Sequence, residues 1–118
     1  MSAIGQKVSM LNNGAFLVKF KVNIGKFSTD FTGNYAAGQT RTIDLGTEIF
    51  KPGASMTVTG KAEAGVTRHF SGLTYAGDGK TIQLVCSGTT QNWKIALVKV
   101  SSDGSEEVQV LEYEEVES

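Results

Sequence analysis

The feature that most constrains this chain is a period of two that recurs along nearly its whole length. Phe16, Val18, Phe20, Val22 and Ile24 alternate with Leu17, Lys19, Lys21 and Asn23, which gives an extended strand one apolar face and one mostly polar face. Met56 and Val58 alternate with Thr57 and Thr59. Ile82, Leu84 and Cys86 alternate with Thr81, Gln83 and Val85, and Trp93, Ile95 and Leu97 with Lys94, Ala96 and Val98. Val108 and Val110 repeat the pattern near the end. The runs are filled with Thr, Val, Ile, Phe and Tyr, which pack well on a pleated surface. No stretch keeps the i, i+3, i+4, i+7 spacing of a helix beyond two turns. The alternation predicts an all-β protein.

Turn chemistry divides the strands. Asn12-Asn13-Gly14 tolerates positive φ and separates Lys7–Leu11 from Ala15–Val22, a hairpin signal. Gly77-Asp78-Gly79 separates Ser71–Ala76 from Lys80–Ser87, and Ser102-Asp103-Gly104-Ser105 separates Asn92–Val100 from Glu106–Tyr113. Softer breaks fall at Ile24–Lys26, Gly33–Gly38, Gly46–Gly53 and Glu63–Gly65. Short strands spaced in this way predict a single antiparallel β-sandwich of eight or nine strands. If consecutive strands run up and down, the loops Asn12–Gly14, Asn34–Gly38, Glu63–Gly65 and Gly88–Gln91 gather at one end. Ile24–Lys26, Gly46–Gly53, Ala76–Gly79 and Ser101–Ser105 gather at the other. Binding residues on such folds sit in loop clusters that the sheets hold rigid.

With 118 residues, 40% of them hydrophobic, the chain can build one core and one domain. The net charge of -1 conceals a split: residues 1–105 hold all eleven Lys and Arg against six acids, whereas residues 106–118 hold six Glu and no base. We read 1–105 as the sandwich body and 106–118 as an acidic edge strand and tail of the same domain. A body charge of +5 without clustering along the sequence does not point to nucleic acid. No apolar run approaches the roughly 18–20 residues of a membrane-spanning helix. The opening Met-Ser-Ala-Ile-Gly-Gln-Lys lacks the basic and apolar regions of a secretory leader. The expectation is therefore a cytoplasmic protein or one released by a leaderless route. The lone Cys86 excludes an internal disulfide.

Catalytic chemistry has little to work with. The only histidine, His69, is flanked by Arg68 and Phe70, and no orienting acid stands near it in sequence, as a nucleophile–base pair would require. Cys86 lies on the apolar side of its alternation and reads as a small buried hydrophobe. One His, one Cys and scattered acids do not space out a zinc site, and no calcium loop occurs. Gly79-Lys80-Thr81 is not a phosphate loop, because Thr74 stands where the first glycine is needed and a strand follows instead of a helix. The expectation is no enzyme, no metal and no cofactor. Sugars and lipid headgroups, by contrast, are bound by an aromatic face with amides and hydroxyls. Asn12, Asn13, Asn34, Tyr35, Thr89, Thr90, Gln91, Asn92 and Trp93 bring those groups to one end. Tyr35 and Trp93 serve equally well as core, since Trp93 heads the alternation Trp93, Ile95, Leu97.

Two stretches carry a family likeness. Val8 to Val22, a strand followed by the Asn12-Asn13-Gly14 turn and an aromatic-rich strand, resembles the opening of the C-terminal β-sandwich domain of the cholesterol-dependent (thiol-activated) cytolysins. Ser87-Gly88-Thr89-Thr90 resembles the Gly-Thr-Thr-Leu stretch whose Thr-Leu pair is that family's cholesterol-recognition element. The likeness spans about residues 6–98. This chain has Gln91 where the family has Leu, and Ala62–Ser71 lacks the Trp and Cys of the family's Trp-rich loop. What the resemblance implies is membrane-surface recognition at headgroup level, with only Thr89 and Thr90 carried over as site residues. Small actinoporin-like and fungal lectin-like sandwiches share the general build.

These readings converge on a non-catalytic recognition module for a lipid headgroup or a glycan at a membrane or cell surface. The expected site is Asn34, Tyr35, Arg68, His69, Phe70, Thr89, Thr90, Gln91 and Trp93. The alternative is an assembly protein that forms homo-oligomers through its edge strands, Glu106–Glu115 among them, with Leu17 facing outward among Lys19 and Lys21.

Overall fold

The computed structural model describes residues 3–47, 50–101, 112–113 and 116–117. Among them, nine strands run from Ala3 to Ser101: β1 (Ala3–Gly5), β2 (Lys7–Asn12), β3 (Val18–Ile24), β4 (Phe27–Ser28), β5 (Thr40–Asp44), β6 (Ser55–Ala62), β7 (Thr67–Tyr75), β8 (Thr81–Thr89) and β9 (Asn92–Ser101). Two further two-residue pieces, β10 (Glu112–Tyr113) and β11 (Val116–Glu117), add to the edges. One sheet, A, has the order β1-β7-β6-β3-β4 with β11 also on β7. The other, B, has the order β10-β9-β8-β2-β5. No helix occurs among the described residues. The expected strand Glu106–Tyr113 and the turn Ser102–Ser105 lie outside them except at Glu112 and Tyr113.

The expectation of a purely antiparallel sandwich needs correction. Both sheets are mixed, because β1 runs parallel to β7 and β2 parallel to β8. The N-terminal strand switches from sheet A to sheet B at Gln6. There the N–H groups of Gln6 and Lys7 both donate to the Lys80 carbonyl, at 2.9 and 3.0 Å. Half-way round the same joint, the Gln6 amide donates to Asp44 Oδ1 (2.9 Å) and its oxygen accepts from Gly79 N–H (2.9 Å). A tight turn forces antiparallel neighbours, but β2 and β8 are far apart in the chain and are free to pair in either direction.

The sheets face each other across one core. Val8 and Met10 from β2, Val18, Phe20 and Val22 from β3, Met56 and Val58 from β6, and Ile82, Leu84, Trp93, Ile95 and Leu97 from β8 and β9 are buried there, each contributing roughly 1.5–3 kcal/mol of hydrophobic stabilisation. The sheets approach closely enough that a Cβ on Gly60 would stand 2.8 Å from the Trp93 ring. A bulge in β7 lies opposite the Met56–Val58 stretch of β6, with Gly72 at φ 90°. It changes which residues point inward: Arg68 and Phe70 before it, Leu73 and Tyr75 after it. A strict two-residue count along the sequence misses that change of face.

The loop end and the adjoining sheet face

Four loops meet at one end, and Asn12 is their hub. It continues the inward parity of Val8 and Met10 and is fully buried. Its amide nitrogen donates to the carbonyls of Phe16 (2.6 Å) and Tyr35 (3.0 Å), and its side-chain oxygen accepts from Gly14 N–H (2.9 Å). Its backbone N–H donates to Gln39 and its carbonyl accepts from Gly38 N–H. One side chain thereby ties the β2–β3 turn to the segment before β5. The β6–β7 turn joins through Glu63 N–H to the Leu17 carbonyl (2.9 Å) and Asn34 Nδ2 to Glu63 Oε1 (3.0 Å). The β8–β9 turn joins through Val66 N–H to the Thr90 carbonyl (3.0 Å) and Gln91 Nε2 to the Ala64 carbonyl (3.3 Å). Ala64, at the tip, sits at φ 58°, a left-handed conformation that an ordinary L-residue adopts only when its surroundings hold it there.

The structure divides the nine expected site residues. Four are taken by the interior, which corrects the expectation that they face a ligand. Trp93 is buried against Phe16 (ring centroids 5.4 Å) and donates its indole N–H to the Val66 carbonyl at 3.0 Å. Tyr35 is buried edge-on to Phe20 and donates its hydroxyl to the Met10 carbonyl at 2.9 Å. Phe70 is core, and Arg68 lies inside with its Nε donating to the Trp93 carbonyl at 2.8 Å. The physical reason is common to all four: each belongs to the inward parity of its strand or, for Tyr35, to a bridge with Val18, and each polar atom finds an internal partner. Asn34, Thr89 and Gln91 remain exposed at the end, and Thr90 is half-buried beside them. His69 does not join this group. It lies half-buried on the outer face of sheet A, with Nδ1 3.0 Å from the Thr59 hydroxyl, which receives the Asn23 amide at 2.8 Å.

Two buried groups near this end, Cys86 and Tyr35, hold their protons more tightly than usual. Burial pushes the Cys86 thiol from an ordinary 9.0 up to about 12, and burial also raises the Tyr35 phenol. Among the described residues, no three His, Cys, Asp or Glu side chains come together in a group that could hold a metal ion.

Below the rim, on the outer face of sheet A, is an arrangement that the sequence reading did not assemble. Lys19 of β3 and Lys61 of β6 are direct cross-strand partners, and Lys21 follows on the same face of β3 opposite Thr59. The ammonium groups of Lys19 and Lys21 stand 4.8 and 5.0 Å from the centroid of the Phe31 ring. Alternation shows that Lys19 and Lys21 face outward, but the partner across the strand boundary is a matter of register.

No protein-family model, no curated protein and no solved structure matches this chain.

Proposed function

We propose that the chain is a non-catalytic recognition module that engages a lipid headgroup or a glycan at a membrane or cell surface. The observation that supports this reading is the rigid polar rim at the loop end. Asn34, on the segment before β5, and Thr89, Thr90 and Gln91, on the β8–β9 turn, are presented by two loops that both hydrogen-bond to the β6–β7 turn, so ordering them against a ligand costs little further entropy. The aromatics of that end are committed to the core, so the rim offers amide, hydroxyl and backbone groups. Such groups suit phosphate or sugar oxygens and do not suit insertion into hydrocarbon. The likeness to cytolysin membrane-binding domains at Thr89-Thr90 supports the same class of surface. A non-catalytic role accords with the buried Cys86 thiol of β8 and an imidazole paired to a threonine.

The test is co-sedimentation with liposomes of varied composition, with a glycan array run on the same preparation. Binding to one lipid or sugar class that falls at least tenfold in Thr89→Ala/Gln91→Ala, at an unchanged thermal midpoint, is expected. Undiminished binding in that double variant would remove the rim from the site. Tyr35→Ala is unsuited to this purpose, because it opens the core.

A second reading is self-association through β5. Among the described residues β5 has β2 on one side and no strand on the other, and Thr40, Arg41, Thr42 and Asp44 are exposed. The bond from Leu45 N–H to the Gln6 carbonyl fixes the alternation so that the Thr42 N–H points away from β2. Thr42→Pro should therefore leave the fold intact while reducing an oligomer to a monomer on a calibrated column. A wild-type protein that already elutes as a monomer would end this reading.

A further inference from the structure

We infer that the outer face of sheet A, beside the loop end, is a docking surface for a bilayer carrying anionic phospholipid headgroups, with Lys19, Lys21 and Lys61 as its charge contacts. The inference rests on the proposed recognition role and names its ligand: a phosphate-bearing lipid surface.

Register is the first argument. Lys19 and Lys61 occupy directly opposed positions on β3 and β6, where side chains stand roughly 5 Å apart at Cβ and like charges oppose folding. Lys21 lies two residues along the same face, so three ammonium groups share a patch about two residues long and two strands wide. An anion lying between them turns the repulsion into attraction. Phosphate is compact and multiply charged, and lysine meets it as a point charge without the planar match that arginine gives a carboxylate.

The second argument is what lies among the lysines. Phe31 is 37% exposed beneath Lys19 and Lys21, and Leu17, which precedes Val18 on the outward parity, is 39% exposed. Apolar side chains under lysine stems match the boundary of a bilayer, where the stems and rings enter the headgroup layer while the ammonium groups reach phosphate. An acidic polypeptide would satisfy the charges but leave the exposed Leu17 without an apolar contact. The face is also continuous with the rim: Leu17 accepts from Glu63 N–H of the β6–β7 turn, and Ala62, next to Lys61, pairs with Val18. The lysine face and the β6–β7 turn of the rim therefore share an edge.

Each lysine near an anionic bilayer surface is worth about fivefold in affinity at moderate salt. The test uses the full chain with vesicles of phosphatidylcholine alone and of phosphatidylcholine with phosphatidylserine, and with a glycan array and immobilised polyglutamate as further arms. Wild type is compared with Lys19→Gln/Lys61→Gln, with thermal midpoints measured alongside. Expected are binding confined to the phosphatidylserine vesicles, loss of about thirtyfold in the double variant, weakening by salt, and a midpoint in the variant no lower than wild type. Equal binding by wild type and variant would overturn the lysine site and leave the recognition role standing. Binding only to neutral vesicles or to glycans would do the same. Retention on polyglutamate without vesicle binding would overturn the choice of lipid. Binding to none of these surfaces would overturn both the site and the recognition role.

Discussion

The loop end and the lysine face lie side by side and are built on opposite terms. At the loop end every polar group of Asn12 has an internal partner, and the Trp93 and Tyr35 polar atoms each donate to a backbone carbonyl. On the face, two lysines oppose each other across β3 and β6, and apolar Leu17 and Phe31 meet solvent. The first arrangement stabilises the fold, whereas the Lys19–Lys61 pair of the second opposes it. Substitutions in the two regions should therefore move stability in opposite directions, and ligand affinity should follow the face more than the hub.

The largest expected effect is at the hub. Asn12→Ala removes the Asn12 bonds to the Phe16 carbonyl and the Gly14 N–H and one of the two donors to the Tyr35 carbonyl, which keeps Val18 N–H, and Trp93→Ala empties the space between the sheets. Each should cost about 3–5 kcal/mol in a denaturant titration. A loss under about 1 kcal/mol for Asn12→Ala would mean that the β2–β3 turn and the segment before β5 are held together by something else.

Next comes alkaline pH. Cys86 and Tyr35 both have folded-state pKa values above their ordinary 9.0 and 10.0. Below pH 9 both are protonated whether folded or not, and neither contributes. As pH rises past 9 the unfolded chain releases the Cys86 proton while the folded chain retains it, so stability falls with rising pH. Tyr35 adds its share above 10. Cys86→Ala should flatten the decline between pH 9 and 10 and leave the Tyr35 part above it, measured by urea midpoints across that range.

Gly60→Ala should cost about 1–3 kcal/mol, because the added Cβ meets the Trp93 ring at 2.8 Å and both sit in a closely packed core. The smallest effect carries the sharpest contrast. Lys61→Gln should raise stability by about 0.2–1 kcal/mol through relief of the cross-strand repulsion while weakening attachment to anionic vesicles. Stability and affinity moving together at Lys61 would erase the distinction between the two regions.

In the sequence Trp93 is open to two roles, a ring at the loop end or, by its alternation with Ile95 and Leu97, a core residue. The structure resolves that choice in favour of the core and does the same for Tyr35, Phe70 and Arg68. Asn12 was legible in principle: an amide on the apolar parity of Val8 and Met10 must be buried and must find partners. Its partners were not legible, since Tyr35 is 23 residues away. Arg68 and Phe70 were hidden by the bulge at Gly72, which breaks the two-residue count within β7.

By itself the sequence determined that the chain is all-β and where most strands begin and end. Those follow from strand alternation and turn dihedrals, properties of a few neighbouring residues. The tertiary structure alone decided that β1 and β2 run parallel to β7 and β8, that the chain changes sheet at Gln6, and that Lys61 stands opposite Lys19. Pairing direction and register between distant segments depend on how the whole chain closes over one core, and no local pattern encodes that closure.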